Sequence, residues 1–203
     1  MASIALTRGN PQEARTHLET AIQSDPDSVY LHQRLALLLK ELREYGPALD
    51  HARKAAELNP ADIESITLVA DIYALSGNDD LAAETYQKIL EMDPDNQRIR
   101  LLLTTLLVRQ RQLQDALDQL HMLIEQDPDL VVAHYYLGRI NLEMNRYEEA
   151  EKALDETLRL NESLEPALFD LATLYQMIER EEEAVATYEK LISLYPDNIP
   201  ARE

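Results

Sequence analysis

The sequence contains no cysteine, no tryptophan and one phenylalanine, and its four glycines stand apart from one another. Without cysteine, disulfide bonds and thiolate metal sites are excluded. Isolated glycines do not make a glycine-rich phosphate-binding loop. The chain also lacks the Gly-x-Ser-x-Gly context of a serine nucleophile and the His-Glu-x-x-His pattern of a zinc protease. We therefore expect no enzyme active site, no cofactor and no metal centre.

Long hydrophobic runs are absent as well. The longest ones, such as residues 35–39, are far too short to cross a bilayer, and residues 1–6 are too short for a secretory signal. We expect no direct membrane insertion, and the cytoplasm is the default location. The alternative is a periplasmic or membrane-anchored parent protein, whose signal or lipid anchor would precede these residues.

Basic residues are few: the chain has 19 Lys and Arg but 38 Asp and Glu, which gives a net charge of -19. Nucleic acid and anionic membranes are disfavoured as partners because both require a basic face. Two interpretations stay open: the charge keeps an elongated protein in solution, or it attracts basic proteins or peptides. The charge is uneven, with a net of -7 over residues 63–96 and -1 over residues 97–130.

What the chain does have is a period of 34 residues. Alanines recur at this interval as Ala14, Ala48, Ala82, Ala116, Ala150 and Ala184. Prolines keep the same interval as Pro26, Pro60, Pro94, Pro128 and Pro196, with Glu162 at the one position of the row that is not proline. A fixed period of this length indicates stacked copies of one supersecondary unit. Five full repeats fit, at residues 29–62, 63–96, 97–130, 131–164 and 165–198. A partial repeat covers residues 1–28, and residues 199–203 begin a further helix.

Each repeat carries two helical patterns. In residues 131–164, one apolar stripe begins at Ala133 and a second at Tyr147, both at helical spacing, with Asn145 and Arg146 between them. Two helices of about fourteen residues joined by a tight turn form an αα-hairpin. The sequence therefore predicts an all-α protein of stacked antiparallel helix-turn-helix repeats in one array.

Two further rows refine this prediction. A second row of small residues on the first helices faces the alanine row, so that the two backbones approach closely: Ala36, Ala70, Thr104, Gly138 and Ala172. Aspartates that follow the prolines are expected to be N-caps of the next helix: Asp27, Asp95, Asp129 and Asp197.

Together these rows resemble the tetratricopeptide repeat. The Leu-Gly pair of that repeat is Leu137-Gly138, its aromatic positions hold Tyr73 and Tyr86, and its alanine and proline are the rows above. The resemblance covers essentially the whole chain. It implies a right-handed α-solenoid whose first helices line a concave groove, and a non-catalytic scaffold that binds a peptide or a partner helix there.

Aligning the inward rows of that family gives the candidate groove residues. They are Arg98, Leu101, Thr105, Val108, Arg109, Tyr135, Arg139, Leu142, Phe169 and Thr173. Aromatic and arginine side chains are common interface anchors. The alternative is that Tyr135 and Phe169 cover neighbouring helices while the arginines pair with acids such as Asp71 and Glu143.

The repeat pattern is incomplete at both ends of the sequence, and this leaves other functions open. The chain is expected to be a segment of a longer repeat protein, because the pattern is cut at both ends. It could then form a homo-oligomer through uncapped ends, or be the targeting arm of a larger enzyme such as a repeat-bearing glycosyltransferase. The sequence names no partner.

Two departures from the family concern polar side chains. Asn141 stands where other repeats have tyrosine, and we expect local hydrogen bonds to satisfy its amide. His17 and His51 share a row and could lie on neighbouring helices. That pair is only a weak indication of a metal site, because the row holds no third ligand.

Overall fold

The computed structural model describes residues 10–196. Within them the chain forms eleven α-helices and no strand. The helices are α1 (Pro11–Ser24), α2 (Val29–Glu41), α3 (Tyr45–Leu58), α4 (Ile63–Leu75), α5 (Asp79–Met92), α6 (Gln97–Arg109), α7 (Leu113–Gln126), α8 (Val131–Glu143), α9 (Tyr147–Leu160), α10 (Glu165–Met177) and α11 (Glu181–Leu194). The expected start of a helix at 199–203 lies outside the described residues, as do residues 1–9.

The chain divides into two compact units, one up to Leu106 and one from Leu107. In the first unit each helix from α1 to α5 packs on its neighbours in sequence, and α2 also contacts α4. Alternate helices therefore lie side by side, as stacked hairpins require. Ala14, Ala48 and Ala82 are fully buried between them.

The second unit repeats this arrangement. Helices α7 to α11 pack on their sequence neighbours, and α8 also contacts α10. One core cluster joins Ala150 and Leu154 of α9 to Leu171 and Tyr175 of α10. The predicted class, all-α with stacked antiparallel helix-turn-helix pairs, is confirmed. The single array over residues 1–203 stays a prediction.

Small residues let the paired helices approach. Ala36, Ala70 and Ala172 are fully buried on first helices. A Cβ atom built on Gly138 would lie 2.8 Å from Leu154 Cγ, which is closer than such atoms approach in proteins. Glycine is therefore favoured at position 138 by the close contact between α8 and α9. The backbone conformation is not the reason, because it is helical and other residues adopt it readily.

The turn inside each hairpin has a feature that the sequence did not reveal. One residue per repeat adopts a left-handed conformation, again at 34-residue spacing: Arg43 (φ 60°), Gly77 (φ 80°), Arg111 (φ 62°), Asn145 (φ 57°) and Glu179 (φ 61°). Glycine and asparagine tolerate this region, whereas arginine and glutamate adopt it at a cost. The turn is thus imposed by packing of the helices on either side.

The predicted N-caps were wrong by one position. Asp27, Asp95 and Asp129 lie inside turns closed by backbone hydrogen bonds, such as Asn96 N to Asp93 O at 3.2 Å. The helix begins only after such a turn. The N-cap position belongs to the next row, where Asp62 accepts from Ser65 N at 3.2 Å and Asn96 from Ile99 N at 3.1 Å. The other N-cap residues of this row make no side-chain capping bond: Ser28, Leu130 and Leu164. Asp197 lies outside the described residues.

Candidate functional site

A hollow of about 560 Å³ lies along the first helices of the first unit. Its walls are side chains of α2 and α4 and of the beginning of α6. We name it the α2–α4 hollow. The residues used below are Tyr30, Gln33 and Lys40 of α2, Asp71 of α4, and Arg98 of α6.

Some of these side chains are already engaged. Lys40 Nζ lies 3.6 Å from Asp71 Oδ2 in an ion pair between α2 and α4. Gln33 Nε2 donates to Asp62 Oδ2 at 2.6 Å and to Ser65 Oγ at 2.8 Å. These contacts tie the two helices together, so the walls of the hollow are held in place by polar bonds as well as by packing.

Tyr30 and Arg98 are not engaged in this way. The Tyr30 side chain is 63% exposed at the mouth of the hollow. Arg98 is exposed, and within residues 10–196 no carboxylate forms an ion pair with it. An exposed aromatic ring and an unpaired guanidinium beside a hollow are the groups that a ligand would contact.

The other predicted groove residues of α6 lie further along the helix. Leu101 is half-buried and Thr105 is exposed, and the Thr105 hydroxyl donates to Leu101 O at 3.0 Å. Val108, half-buried, and Arg109, exposed, end the helix and belong to the second unit. The structure therefore brings Arg98 to a hollow, whereas the hydroxyl of Thr105 is satisfied by its own helix.

In the second unit, Tyr135 and Arg139 of α8 meet Asp170 of α10. Arg139 Nε lies 3.6 Å from Asp170 Oδ2, and Arg139 Cζ lies 5.9 Å from the centre of the Tyr135 ring. Burial, and next the charge of Asp170, raise the pKa of Tyr135 to about 12. Burial likewise raises the pKa of Asp170, against the opposing charge of Arg139. The three side chains form one electrostatic cluster.

The remaining predicted residues contribute mainly to packing. Leu142 is half-buried against the core of α9 and α10. Phe169 packs edge-on against Tyr188 of α11, with ring centres 6.2 Å apart. The Thr173 hydroxyl lies 2.9 Å from Phe169 O and 3.3 Å from Tyr188 Oη. These three side chains are thus largely committed to the protein itself.

The acids predicted to pair with the arginines have other partners. Asp71 pairs with Lys40, and Glu143 pairs with Arg111. The partner of Arg139 is Asp170, which sequence reasoning missed. A signal for it exists, since Lys40–Asp71 and Arg139–Asp170 both join residues 31 positions apart. An offset of 31 residues is one repeat of 34 shortened by about one helical turn. Residues at this spacing lie on first helices of neighbouring repeats.

The histidines do not form the suggested metal pair. His51 Nδ1 lies 2.9 Å from His32 Nδ1, with the rings tilted at 34° and their centres 5.1 Å apart. His17 lies instead beside Glu13 of its own helix, at 3.7 Å. In residues 10–196 no three His, Cys, Asp or Glu side chains cluster in a way that would hold a metal ion.

The His32–His51 pair predicts a loss of stability in acid. Burial, and next the charge of His32, lower the pKa of His51, while Asp50 and Glu19 oppose this. The unfolded chain, with an ordinary histidine pKa of about 6.5, then takes up a proton before the folded one does. The free energy of unfolding should therefore fall as the pH drops from about 7.5 to 5.5.

His51→Thr should weaken this pH dependence, because threonine occupies the same row at positions 85 and 187 and does not titrate. Urea denaturation at several pH values measures it, with the exposed His121→Thr as control. An unchanged slope in His51→Thr would assign the pH dependence to other groups.

No described helix combines the length and apolarity that crossing a bilayer requires.

Pairs of antiparallel helices that repeat every 34 residues and pack through small side chains define a helical repeat protein. Models of the tetratricopeptide repeat match residues 73–133, 108–162, 166–198 and 1–63. The chain belongs to the tetratricopeptide repeat family. The repeats of this family are protein–protein interaction modules, so the chain is of the interaction-scaffold type.

Similar stretches of sequence occur within longer proteins. The chain is 30% identical over 166 residues to the DnaJ homolog subfamily C member 7 homolog of Schizosaccharomyces pombe, covering 72% of this chain and 35% of that protein. It is 25% identical over 197 residues to human protein O-mannosyl-transferase TMTC3, covering 97% of this chain and 18% of that protein. The chain thus spans about a third or less of these relatives.

A solved structure shows the same fold. The crystal structure of YrrB, described as a tetratricopeptide repeat protein with an unusual peptide-binding site, superposes with a TM-score of 0.71. The match covers 91% of this chain and 95% of YrrB at 22% sequence identity. At that identity the likeness is one of fold.

Proposed function

We propose that the chain is a non-catalytic scaffold that binds an extended peptide or a partner helix along its first helices. The observation that carries the proposal is the α2–α4 hollow, with Tyr30 and Arg98 at its edge. The hollow is about 560 Å³ and is lined by side chains of three successive first helices. A partner that lies across these helices contacts one repeat after another.

The side chains available in the hollow fit this role. Tryptophan, tyrosine and arginine are enriched among the few residues that carry most of the binding energy in protein interfaces, because they bury a large area and still form directed polar contacts. Tyr30 has area to bury, and Arg98 has a guanidinium free for a carboxylate or a carbonyl. The Lys40–Asp71 pair holds α2 and α4 in register, so little ordering is needed on binding.

In the second unit, Tyr135 and Arg139 are the predicted residues best placed for a partner. Arg139 is exposed and Tyr135 half-buried, and their mutual contact presents one composite surface. Asp170 holds Arg139 with an ion pair that is partly exposed and therefore weak. We propose that Tyr135 and Arg139 form a contact surface of the second unit, and that Phe169 and Thr173 support it from within the fold.

Two other functions stay open as proposals. Self-association is favoured by Val185 and Leu194 of α11, which are 57% and 45% exposed, and light scattering at several concentrations tests it. A role as the targeting arm of an enzyme is favoured by the similarity to a protein named as an O-mannosyl-transferase. The cytoplasmic location and the lack of nucleic-acid binding remain predictions.

The test uses peptides selected from a random displayed library against the full chain. We expect Tyr30→Ala with Arg98→Ala to weaken the binding of the selected peptides at least about tenfold, because two anchor side chains are removed. The matched control is Leu81→Ala with Lys88→Ala, which removes an apolar and a cationic side chain exposed on α5. Fluorescence anisotropy measures the peptide affinity of both double variants.

The control should change the affinity by less than about twofold, because surface contacts outside an interface contribute little. Equal losses in the two double variants, or none in the first, would place the partner elsewhere.

A further inference from the structure

Two histidines three repeats apart make the same contact with the backbone. His32 Nε2 lies 3.0 Å from Pro26 O, and His134 Nε2 lies 2.8 Å from Pro128 O. A carbonyl oxygen only accepts, so Nε2 carries the hydrogen in both rings. In each neutral imidazole, Nδ1 is then an acceptor that needs a donor.

In the first unit a side chain of the protein supplies that donor. His51 stands 19 residues after His32, and its Nδ1 lies 2.9 Å from His32 Nδ1. Because His32 Nδ1 accepts, His51 Nδ1 donates. The position beside His32 is therefore occupied by an imidazole ring with its N–H group directed at the acceptor.

In the second unit the donor is missing. The residue 19 positions after His134 is Ala153, the smallest side chain in its row. Within residues 10–196 no group forms a hydrogen bond with His134 Nδ1, although this histidine is only 9% exposed. The Nδ1 atom is also not sealed from solvent. Because this acceptor reaches solvent and no side chain covers it, a donor from outside the chain can bind to it.

A pocket of about 470 Å³ lies at this place, between α7, α8 and α9. Leu117, Leu137 and Ala153 give it apolar walls, and His134 and Asn141 also line it. The Asn141 amide donates to Leu137 O at 2.9 Å, which confirms the expected local hydrogen bond. Its Oδ1 has no partner within the described residues and is a second acceptor on the same helix.

We propose that the α7–α9 pocket binds a small heteroaromatic ring that carries an N–H group, with imidazole as the prototype. The ring occupies the position that His51 fills in the first unit and donates to His134 Nδ1. Its faces lie against Leu117 and Leu137. The volume exceeds that of one ring, and Lys152 and Glu149 at the rim offer charges of both signs for substituents.

Imidazole itself is the probe, added to the full chain at about pH 8, where it is neutral. We expect the ring resonances of His134 to shift in NMR spectra with a Kd on the order of millimolar, since five heavy atoms and one hydrogen bond support no more. Ala153→His should fill the pocket and reduce this binding at least about tenfold, as His51 does in the first unit.

His134→Leu removes the acceptor and should also reduce binding at least about tenfold, measured on the backbone amide resonances of Leu137 and Ala153, which line the pocket. It should fold, since Leu168 occupies the same row and is buried. The control is Ala186→His, which adds an imidazole at an exposed position and should leave binding unchanged. Absent shifts at His134 in the wild type, or equal shifts in Ala153→His, would overturn the proposal.

Two further ligands identify the source of the ring. Tighter binding of free histidine than of imidazole points to a small molecule, because its ammonium and carboxylate then contact Glu149 and Lys152. Tighter binding of N-acetylhistidine methylamide points to a histidine within a peptide. Either result supports the ring site, and weaker binding of both together with silent His134 resonances contradicts it.

Discussion

Replacing Leu154 by alanine is expected to lower the free energy of unfolding by about 2–5 kcal/mol. Leu154 is fully buried, and it joins α9 to the core cluster formed with α10. The contacts with Gly138 show that α8 also rests on this side chain. Its removal leaves a cavity at a point where three helices meet, and stiff paired helices cannot close it completely.

Urea denaturation followed by circular dichroism measures this loss. The matched control is Leu81→Ala on α5, where the same atoms are removed from a side chain that is 43% exposed. That change should stay within about 0.5 kcal/mol, as for most surface substitutions. Equal effects of the two substitutions would show that Leu154 is not a core residue.

Replacing Gly138 by alanine is expected to lower the free energy of unfolding by about 1–3 kcal/mol, despite the better helix propensity of alanine. The added methyl group would lie 2.8 Å from Leu154 Cγ and 2.9 Å from its Cδ2. Leu154 Cγ is a branch point close to the backbone, so it cannot move aside without shifting α9. The overlap therefore outweighs a propensity gain of about 1 kcal/mol.

Two comparisons separate the overlap from other effects. Gly46→Ala on α3, where no atom lies within 4 Å of the added carbon, should be neutral or mildly stabilising. In the Leu154→Ala background the overlap is gone, so Gly138→Ala should become neutral or stabilising as well. Additive effects in this double-mutant cycle would mean that the two residues do not meet.

The sequence was sufficient to predict the fold because the small residues that recur every 34 positions are the ones that are buried between helices. Ala48, Ala116 and Ala150 stand in one row, and each is fully buried between paired helices. The left-handed turn residues were not predicted, since Arg43 and Glu179 are not types that favour that conformation. The N-caps were misplaced because the residue after proline is needed for the turn itself.

For the site, the sequence indicated the helices and many of the residues but not their partners. Arg98 and Tyr135 belong to the rows that the family alignment predicts to line the groove. In the structure Arg98 lines the α2–α4 hollow, and Tyr135 lies in the cluster with Arg139 and Asp170. Alignment by repeats compares residues 34 apart, whereas ion pairs between first helices join residues 31 apart, as Arg139 and Asp170 do. Which side chains remain unpaired for a ligand is thus decided by packing that a repeat alignment does not show.

The proposed function depends on the first helices being the surface that contacts the partner. A crystal structure of the full chain with a peptide selected from the displayed library tests this directly. We predict electron density for the peptide in the α2–α4 hollow, in contact with Tyr30 and Arg98. Density for the peptide on the second helices, with the hollow open, would contradict it.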